Sequence, residues 1–416
     1  MLTKPERRVA LTKIYVAHGI WATLDQWSRI IIPFLQWELQ PRMNMFRIGV
    51  VNAIGNAFLF VGTFIMGHLL DSIGTKATAA LVTVTSAIFA LLVSQVRSYM
   101  VFMGIQGLRL FAAFPQIVES FIGIVVAGGH KGHDDDEQER TRAIMGLGIP
   151  MGIALVVGPY IGASSITWFN GDLHTSHMVV GVLLILVLLP VVMFLLPEPR
   201  SGEISSASKV PSLRSYFDLL REPTLKWALL LRIFFEAPYQ AYDQMIRQHM
   251  IIYLTAEPKD MAFLLVILGL STVVTNVFLI RPLQKRLSSK RLLQLSLAIM
   301  TVAYVVLSNI YDFGYMLFAM PLQIVGVSIG VGELSAQVIG SASRRDVGKA
   351  VGFSQGIQLA CAALMPVISG YFIYEYQFSY ICYMCAAISA LGLLVTELVG
   401  GSLSSSSRFA LPGYFG

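Results

Sequence analysis

The sequence is short of charge. Only 13% of its 416 residues are Asp, Glu, Lys or Arg, about half the share of an ordinary soluble domain. Hydrophobic residues make up 55%. A soluble core of this length could not hide that much apolar surface, so a water-soluble globule is excluded. Cysteine is scarce too: Cys361, Cys382 and Cys385, all in the last two apolar runs. The Cys382-x-x-Cys385 spacing is a weak redox or metal signal, and the thiols read as small buried hydrophobes. No Asn-x-Ser/Thr sequon occurs, so glycosylation gives no clue to compartment. Gly-x-Ser-x-Gly, His-Glu-x-x-His and phosphate-cradling loops are missing as well, so no enzyme is expected, and no cofactor or metal. No cleavable leader is expected either. Residues 1–8 are short and basic, and the first apolar run is too long for a signal core.

What is there is a series of long apolar runs split by short polar clusters. At about 20 residues per crossing, twelve spans are predicted: 10–37, 47–70, 77–96, 98–127, 143–165 and 178–197, then 226–254, 260–280, 291–310, 313–341, 347–374 and 376–399. The fold class is therefore an all-α membrane protein of two six-helix bundles. With the N-terminus in the cytosol, cytosolic loops hold about 21 of the 30 basic residues and the opposite side about four. The net charge of +6 follows from that topology, so nucleic acid is not an expected partner. Both termini are expected in the cytosol. The bundles are expected at 1–197 and 226–399, with a cytosolic linker at 198–225 and a disordered tail at 400–416. The linker is Ser-rich and carries a candidate surface helix over 212–221. A second polar loop, 128–142, holds His130, His133 and the acidic run 134–137, and reads as a solvated loop rather than a metal site.

The halves repeat. Span 1 contains Asp25-Gln26-Trp27-Ser28-Arg29 and span 7 contains Asp243-Gln244-Met245-Ile246-Arg247. Both read Asp-Gln-x-x-Arg, and seven residues before each Asp stands another polar group, His18 or Glu236. Glu119 in span 4 and Glu333 in span 10 each lie about eight residues before a cytosolic loop. All of these positions correspond under a six-helix shift, as in parallel repeats.

Seven residues are almost two helical turns, so His18 and Asp25 share a face, as do Glu236 and Asp243. Each Arg follows its Asp by four residues, within reach of an ion pair. On span 7 the stripe Arg232, Glu236, Gln240, Asp243 and Arg247 is continuous. Each ionised residue at mid-bilayer costs ~2.5–3.5 kcal/mol, so these faces are expected to line a wet central cavity. Three readings stay open at this point. The Asp–Arg pairs could be structural, the Arg forks could face an anion or zwitterion, or the carboxylates could bind a cation. Glu119 and Glu333 have no basic residue one turn away, which suits proton carriers if they are buried; Glu236 is intermediate. Arg109, in span 4, could pair with a carboxylate of span 1 or line the cavity.

After span 2 the chain reads Gly67-His-Leu69-Leu-Asp71-Ser-Ile-Gly74-Thr-Lys76. This resembles the Gly-x-Leu-x-Asp-Arg-x-Gly-Arg-Lys loop of the major facilitator superfamily, matching at Gly67, Leu69, Asp71, Gly74 and Lys76 and departing at Ser72 and Thr75. Span 5 adds Gly158-Pro159-Tyr-Ile-Gly162, similar to the Gly-Pro-x-x-Gly element of that superfamily's antiporters. Two features depart: Ile105 stands where proton antiporters carry an Arg, and the second loop copy, 281–290, keeps little. The layout, including the linker helix and Asp346-x-Gly348 before span 11, resembles the organic cation transporter-like and drug:proton antiporter-like branch.

The resemblance implies a secondary active transporter working by alternating access. Gly67, Asp71, Gly74 and Lys76 would serve as a cytosolic gate, and Gly158, Pro159 and Gly162 would pack helices. Substrate contacts are expected at His18, Asp25, Arg29, Glu236, Asp243 and Arg247, and proton coupling at Glu119, Glu333 and Glu236. Arg109 and Arg232 are further polar intramembrane residues. The favoured cargo is an organic anion or zwitterion exchanged for protons. Alternatives are an organic cation or drug, a divalent metal, and a non-transporting receptor or scramblase. A monomer in the lipid bilayer is expected, in the plasma or endolysosomal membrane.

Overall fold

A computed structural model describes residues 4–127, 143, 146–196, 220–309, 312–341 and 347–403. The linker from 198 to 219, the loop holding His130, His133 and 134–137, Asp346, and the tail from 404 lie outside the described residues. Among the described residues the regular structure is helical. The spans are Lys4–Trp37, Met45–Ile73, Thr75–Val93, a divided fourth span, Gly148–Trp168, and a sixth beginning with Leu173–Leu183. The second set is Pro223–Tyr253, an eighth from Pro258 to Arg286, Ser289–Leu307, Phe313–Ser341, Val347–Glu375 and Phe378–Leu403.

Ten of these helices are long and apolar enough to cross a membrane. Spans 1 and 7 are not among the ten, although they run to 34 and 31 residues. They are the two that carry Asp-Gln-x-x-Arg, and their charges dilute the apolar signal. The chain is an integral, multi-pass membrane protein.

Polar residues at the ends start the helices. Asn44 accepts from the Arg47 amide at 2.8 Å, Asp172 from His174 at 2.9 Å and Asp312 from Tyr315 at 2.8 Å. Each satisfies an amide that the first helical turn leaves without a partner. Span 7 opens with Pro223, whose missing N–H costs nothing there.

Three expectations change. Residues 67–73 are the last turns of span 2 rather than a loop, since polar side chains at a helix end are tolerated without breaking it. The break is one residue, Gly74, whose φ of 85° is a conformation that residues with a Cβ rarely adopt. Second, span 4 is not one helix. An α segment, Tyr99–Ile105, tightens into a 3-10 turn, Gln106–Phe111, and restarts as Phe114–Ala127. Pro115 sits in the first turn of the restart, where proline suits a helix beginning. Third, span 12 runs on through 400–403, which were expected to be disordered.

Packing divides the chain into two compact units. The first comprises Met1–Met43, Ile54–Val210 and Ala256–Gly269, and the second Asn44–Ala53, Pro211–Thr255 and Leu270–Gly416. In the first, span 5 lies directly on span 1. A Cβ at Gly158 would stand 2.6 Å from the Gln26 Cβ and 2.7 Å from the Thr23 carbonyl, and one at Gly162 would stand 3.0 Å from the Trp27 ring. Glycine is what lets these backbones meet. A polar seam ties in spans 3 and 6: Ser28 to His177 Nε2 at 2.8 Å, and His177 Nδ1 to the Ala90 carbonyl at 3.0 Å. In the second unit, span 7 packs among spans 10, 11 and 12. Its core holds Tyr242, which meets the rings of Tyr304 and Phe378.

Candidate functional site

Each unit carries a polar cluster, built on span 1 in the first and on span 7 in the second. In the first unit, Arg29 Nε donates to Asp25 Oδ2 at 2.8 Å, the i, i+4 pair that helical spacing dictates. These side chains are 49% and 31% exposed. His18 is buried two turns earlier. Its ring stacks on Trp21 at 5.9 Å, and Trp21 stacks on Phe114 at 5.6 Å, at the restart of span 4. His18 Nδ1 is buried with no hydrogen-bond partner among the described residues.

Arg109 comes from the 3-10 turn of span 4. It lies in the electrostatic field of both Arg29 and Asp25. Its Nη1 and the Oε1 of buried Gln106 close over Gly55 of span 2, where a Cβ would meet each at 2.5 Å. The tightened turn is what aims the guanidinium, since a 3-10 stretch inside a helix re-phases the residues that follow. Two guanidiniums and one carboxylate thus act on one another, and Arg29 has further interactions of its own. Glu119, on the restarted half of span 4, is half-buried and has partners of its own.

The second unit is more closed. Arg232 Nη2 donates to Glu236 Oε1 at 3.2 Å and Nη1 to the Ser335 hydroxyl of span 10 at 3.2 Å. The two charged side chains are only 7% and 3% exposed. Gln244 donates to Gln240 at 3.2 Å and to the Ala362 carbonyl of span 11 at 3.3 Å. Asp243 and Arg247 form a short ion pair, 20% and 18% exposed. The Nε atoms of Arg232 and Arg247 are buried without hydrogen-bond partners among the described residues. Along one helix face this gives two closed ion pairs joined by an amide ladder, with guanidinium donors to spare.

Glu333 stands apart from that stripe. It is buried and accepts from Gln284 Nε2 at 3.1 Å and from the Ser289 hydroxyl, which itself accepts from Gln337 Nε2 at 2.7 Å. Its partners are therefore neutral donors at the junction of spans 8 and 9. Nothing in the spacing points to these partners, nor to His177, one residue before the predicted span 6. Gly67 and Asp71 lie on the last turns of span 2, and the Asp71 side chain lies outside the described residues. Lys76 begins span 3 and has interactions of its own. Cys361, Cys382 and Cys385 are free and buried, and Cys385 Sγ donates to the Pro238 carbonyl at 3.4 Å. Among the described residues no group of three or more His, Cys, Asp or Glu is gathered to hold a metal.

The all-helical chain of membrane spans has the major facilitator fold, as its match to solved structures shows. The model of the Major Facilitator Superfamily matches residues 241–401. Solved structures agree over nearly the whole chain at low identity. The human organic anion transporter MFSD10 (TETRAN) aligns with a TM-score of 0.67 and 12% identity, over 94% of this chain and 100% of that one. A bacterial homolog of the human lysosomal transporter Spinster, inward-facing and unoccupied, gives 0.73 and 13%, over 98% and 100%. The peptide transporter POT in complex with sulfate gives 0.73 and 11%, over 96% and 95%. No curated protein matches the chain in sequence.

Proposed function

We propose that this chain is a secondary active transporter that moves a small organic solute by alternating access, with an organic anion or zwitterion as the favoured class. The observation that carries this reading is the buried stripe of span 7. A membrane helix holding Arg232, Glu236, Gln240, Asp243 and Arg247 is costly in lipid, and such residues mark solute and ion pathways. The buried Nε–H groups of Arg232 and Arg247 have no acceptor among the described residues, and a planar guanidinium fork matches carboxylate or phosphate. The guanidiniums of Arg29 and Arg109 beside Asp25 point the same way, and structures similar in fold are named for organic anion and peptide transport.

His18, Asp25, Arg29, Glu236, Asp243 and Arg247 are the proposed substrate contacts. Protons are the proposed exchange partner, carried by Glu119, Glu333 and Glu236, with antiport argued from Gly158-Pro159-x-x-Gly162. The last turns of span 2 and Lys76 are the proposed gate. The branch of organic cation and drug antiporters is the second reading, resting on Asp25, Asp243 and Glu236.

Ligand-induced thermal stabilisation of the purified protein separates the two. The panel holds organic anions, organic cations and divalent metals, tested on wild type, Arg29→Gln and Arg247→Gln. Stabilisation by an anion, lost in both variants, supports the anion reading, and proton-coupled flux in proteoliposomes follows. Stabilisation by a cation that survives both substitutions overturns it in favour of the carboxylates.

A further inference from the structure

A groove of about 580 Å³ runs between spans 1, 5 and 6 of the first unit, away from the charged residues. That volume falls in the ~300–1,000 Å³ range of sites that hold a small molecule. Thr12, Tyr15, Gly19 and Thr23 line it on span 1, and Ile149 and Ile153 on span 5. Three of these residues carry hydroxyls, yet none offers its hydrogen to the groove. Thr12 donates to the Arg8 carbonyl at 2.9 Å, Tyr15 to Ala143 at 2.8 Å and Thr23 to Gly19 at 2.8 Å. The wall is thus apolar in effect. Ile149 and Ile153 on its rim are 71% and 59% exposed, so the groove opens sideways at membrane depth.

Its length and its mouth say what fits. From Thr12 to Trp27 the lining extends roughly 22 Å at ~1.5 Å per residue, more than the ~15 Å of hydrocarbon in one leaflet. At the N-terminal mouth stand Arg8, one turn before Thr12, and Lys13. Both are exposed and neither forms an ion pair among the described residues. At ~100° per residue Arg8 lies in line with the groove, between Thr12 and Tyr15, and Lys13 lies about 60° to one side of it, next to Val16. Acyl chains are everywhere in a bilayer, so apolar shape alone selects nothing. A pair of cations at the mouth does select, because it attracts an anionic headgroup.

We propose that this groove holds one acyl chain of an anionic phospholipid whose headgroup is bound by Arg8 and Lys13. The test uses the full-length protein in detergent with added phosphatidylserine or phosphatidylcholine, followed by native mass spectrometry and thermal unfolding. Phosphatidylserine stays bound and raises the Tm by about 3 °C or more, whereas phosphatidylcholine does neither. Arg8→Gln/Lys13→Gln removes the difference between the two lipids, and Ile149→Trp, which fills the groove, removes the bound lipid. Equal effects of the two lipids overturn the proposal, as does phosphatidylserine retained by the Arg8→Gln/Lys13→Gln variant. A second copy of the chain found in place of lipid also overturns it. The double variant changes only exposed side chains near the start of the helix, so it decides the question even if the tryptophan variant folds poorly.

Discussion

Spans 1 and 7 carry the same five-residue pattern, and the protein treats the two copies differently. Both form the i, i+4 pair, because the helix alone dictates it. In span 1 the pair is 49% and 31% exposed, whereas in span 7 it is 18% and 20% exposed. Span 7 adds a second, closed pair, Arg232–Glu236, where span 1 has only His18 stacked on Trp21. Spans 4 and 10 differ in the opposite sense. Span 10 is continuous over Phe313–Ser341, while span 4 is broken and swings Arg109 toward the Asp25–Arg29 pair. The lesson is that a repeat fixes local geometry, and neighbours decide what each copy is worth. One unit holds its charge in balanced, enclosed pairs. The other holds its motif pair more open, with Arg109 beside it.

The largest test of that contrast is the enclosed pair. Arg232→Ala strands Glu236 as an unpaired buried charge and is expected to destabilise the protein by about 3–5 kcal/mol. The double variant Arg232→Met/Glu236→Gln recovers most of that loss, as read by thermal unfolding in detergent. A double variant as unstable as the single one would show that the pair is not acting as a unit. Next come the motif arginines. Charge-assisted hydrogen bonds are worth about 1.5–3 kcal/mol, so Arg247→Gln should weaken binding of the stabilising anion roughly 10–100-fold. Arg29→Gln, in the more open pair, should weaken it less, and titration of the Tm shift against ligand concentration measures both. If Arg29→Gln proves the more damaging, exposure is the wrong measure of the two copies.

A smaller effect concerns packing in the first unit. Gly158→Ala pushes a methyl group into Gln26 and the Thr23 carbonyl, at an expected cost of about 1–3 kcal/mol. Gly352→Ala in span 11, where a Cβ would meet nothing, serves as the control. The smallest effect is at the start of span 6. The Thr175 hydroxyl, helped by backbone amides and His174, holds the Asp172 carboxyl below its usual range. A carboxylate lowered in the folded state contributes stability that is complete above its unfolded value of about 4 and fades as pH falls through the folded one. Asp172→Ala should therefore cost about 1 kcal/mol near neutral pH and less in acid. A pH-independent loss would show that the charge is irrelevant to the cap.

Much of this was legible in the sequence. Twelve apolar runs and the paired motifs are written in composition and spacing, and helical periodicity alone puts Asp25 beside Arg29 and Asp243 beside Arg247. What stayed hidden depended on tertiary partners or on small signals. The break in span 4 was marked only by Pro115 in the first turn of the restart, amid a run apolar enough to read as one helix. Residues 67–73 were polar enough to pass for a loop. Glu333 lacks a basic neighbour on its own helix, and its partners, Gln284 and Ser289, come from other spans. His177 escaped because the polar residues from 173 onward delayed the predicted start of span 6, although they are its first turns.

The broken fourth span also bears on how the chain is built. A ribosome delivers the protein from its N-terminus, so span 1 and its Asp25 reach the bilayer before Arg109 is synthesised. A lone arginine entering mid-membrane costs about 2.5–3.5 kcal/mol on insertion scales. Here it meets the Asp25–Arg29 ion pair, already in place on span 1. The order of the genetic message thus makes the least hydrophobic stretch of span 4 a late guest in a site prepared by the first helix, and biogenesis of the N-terminal unit becomes a matter of sequence order as well as hydropathy.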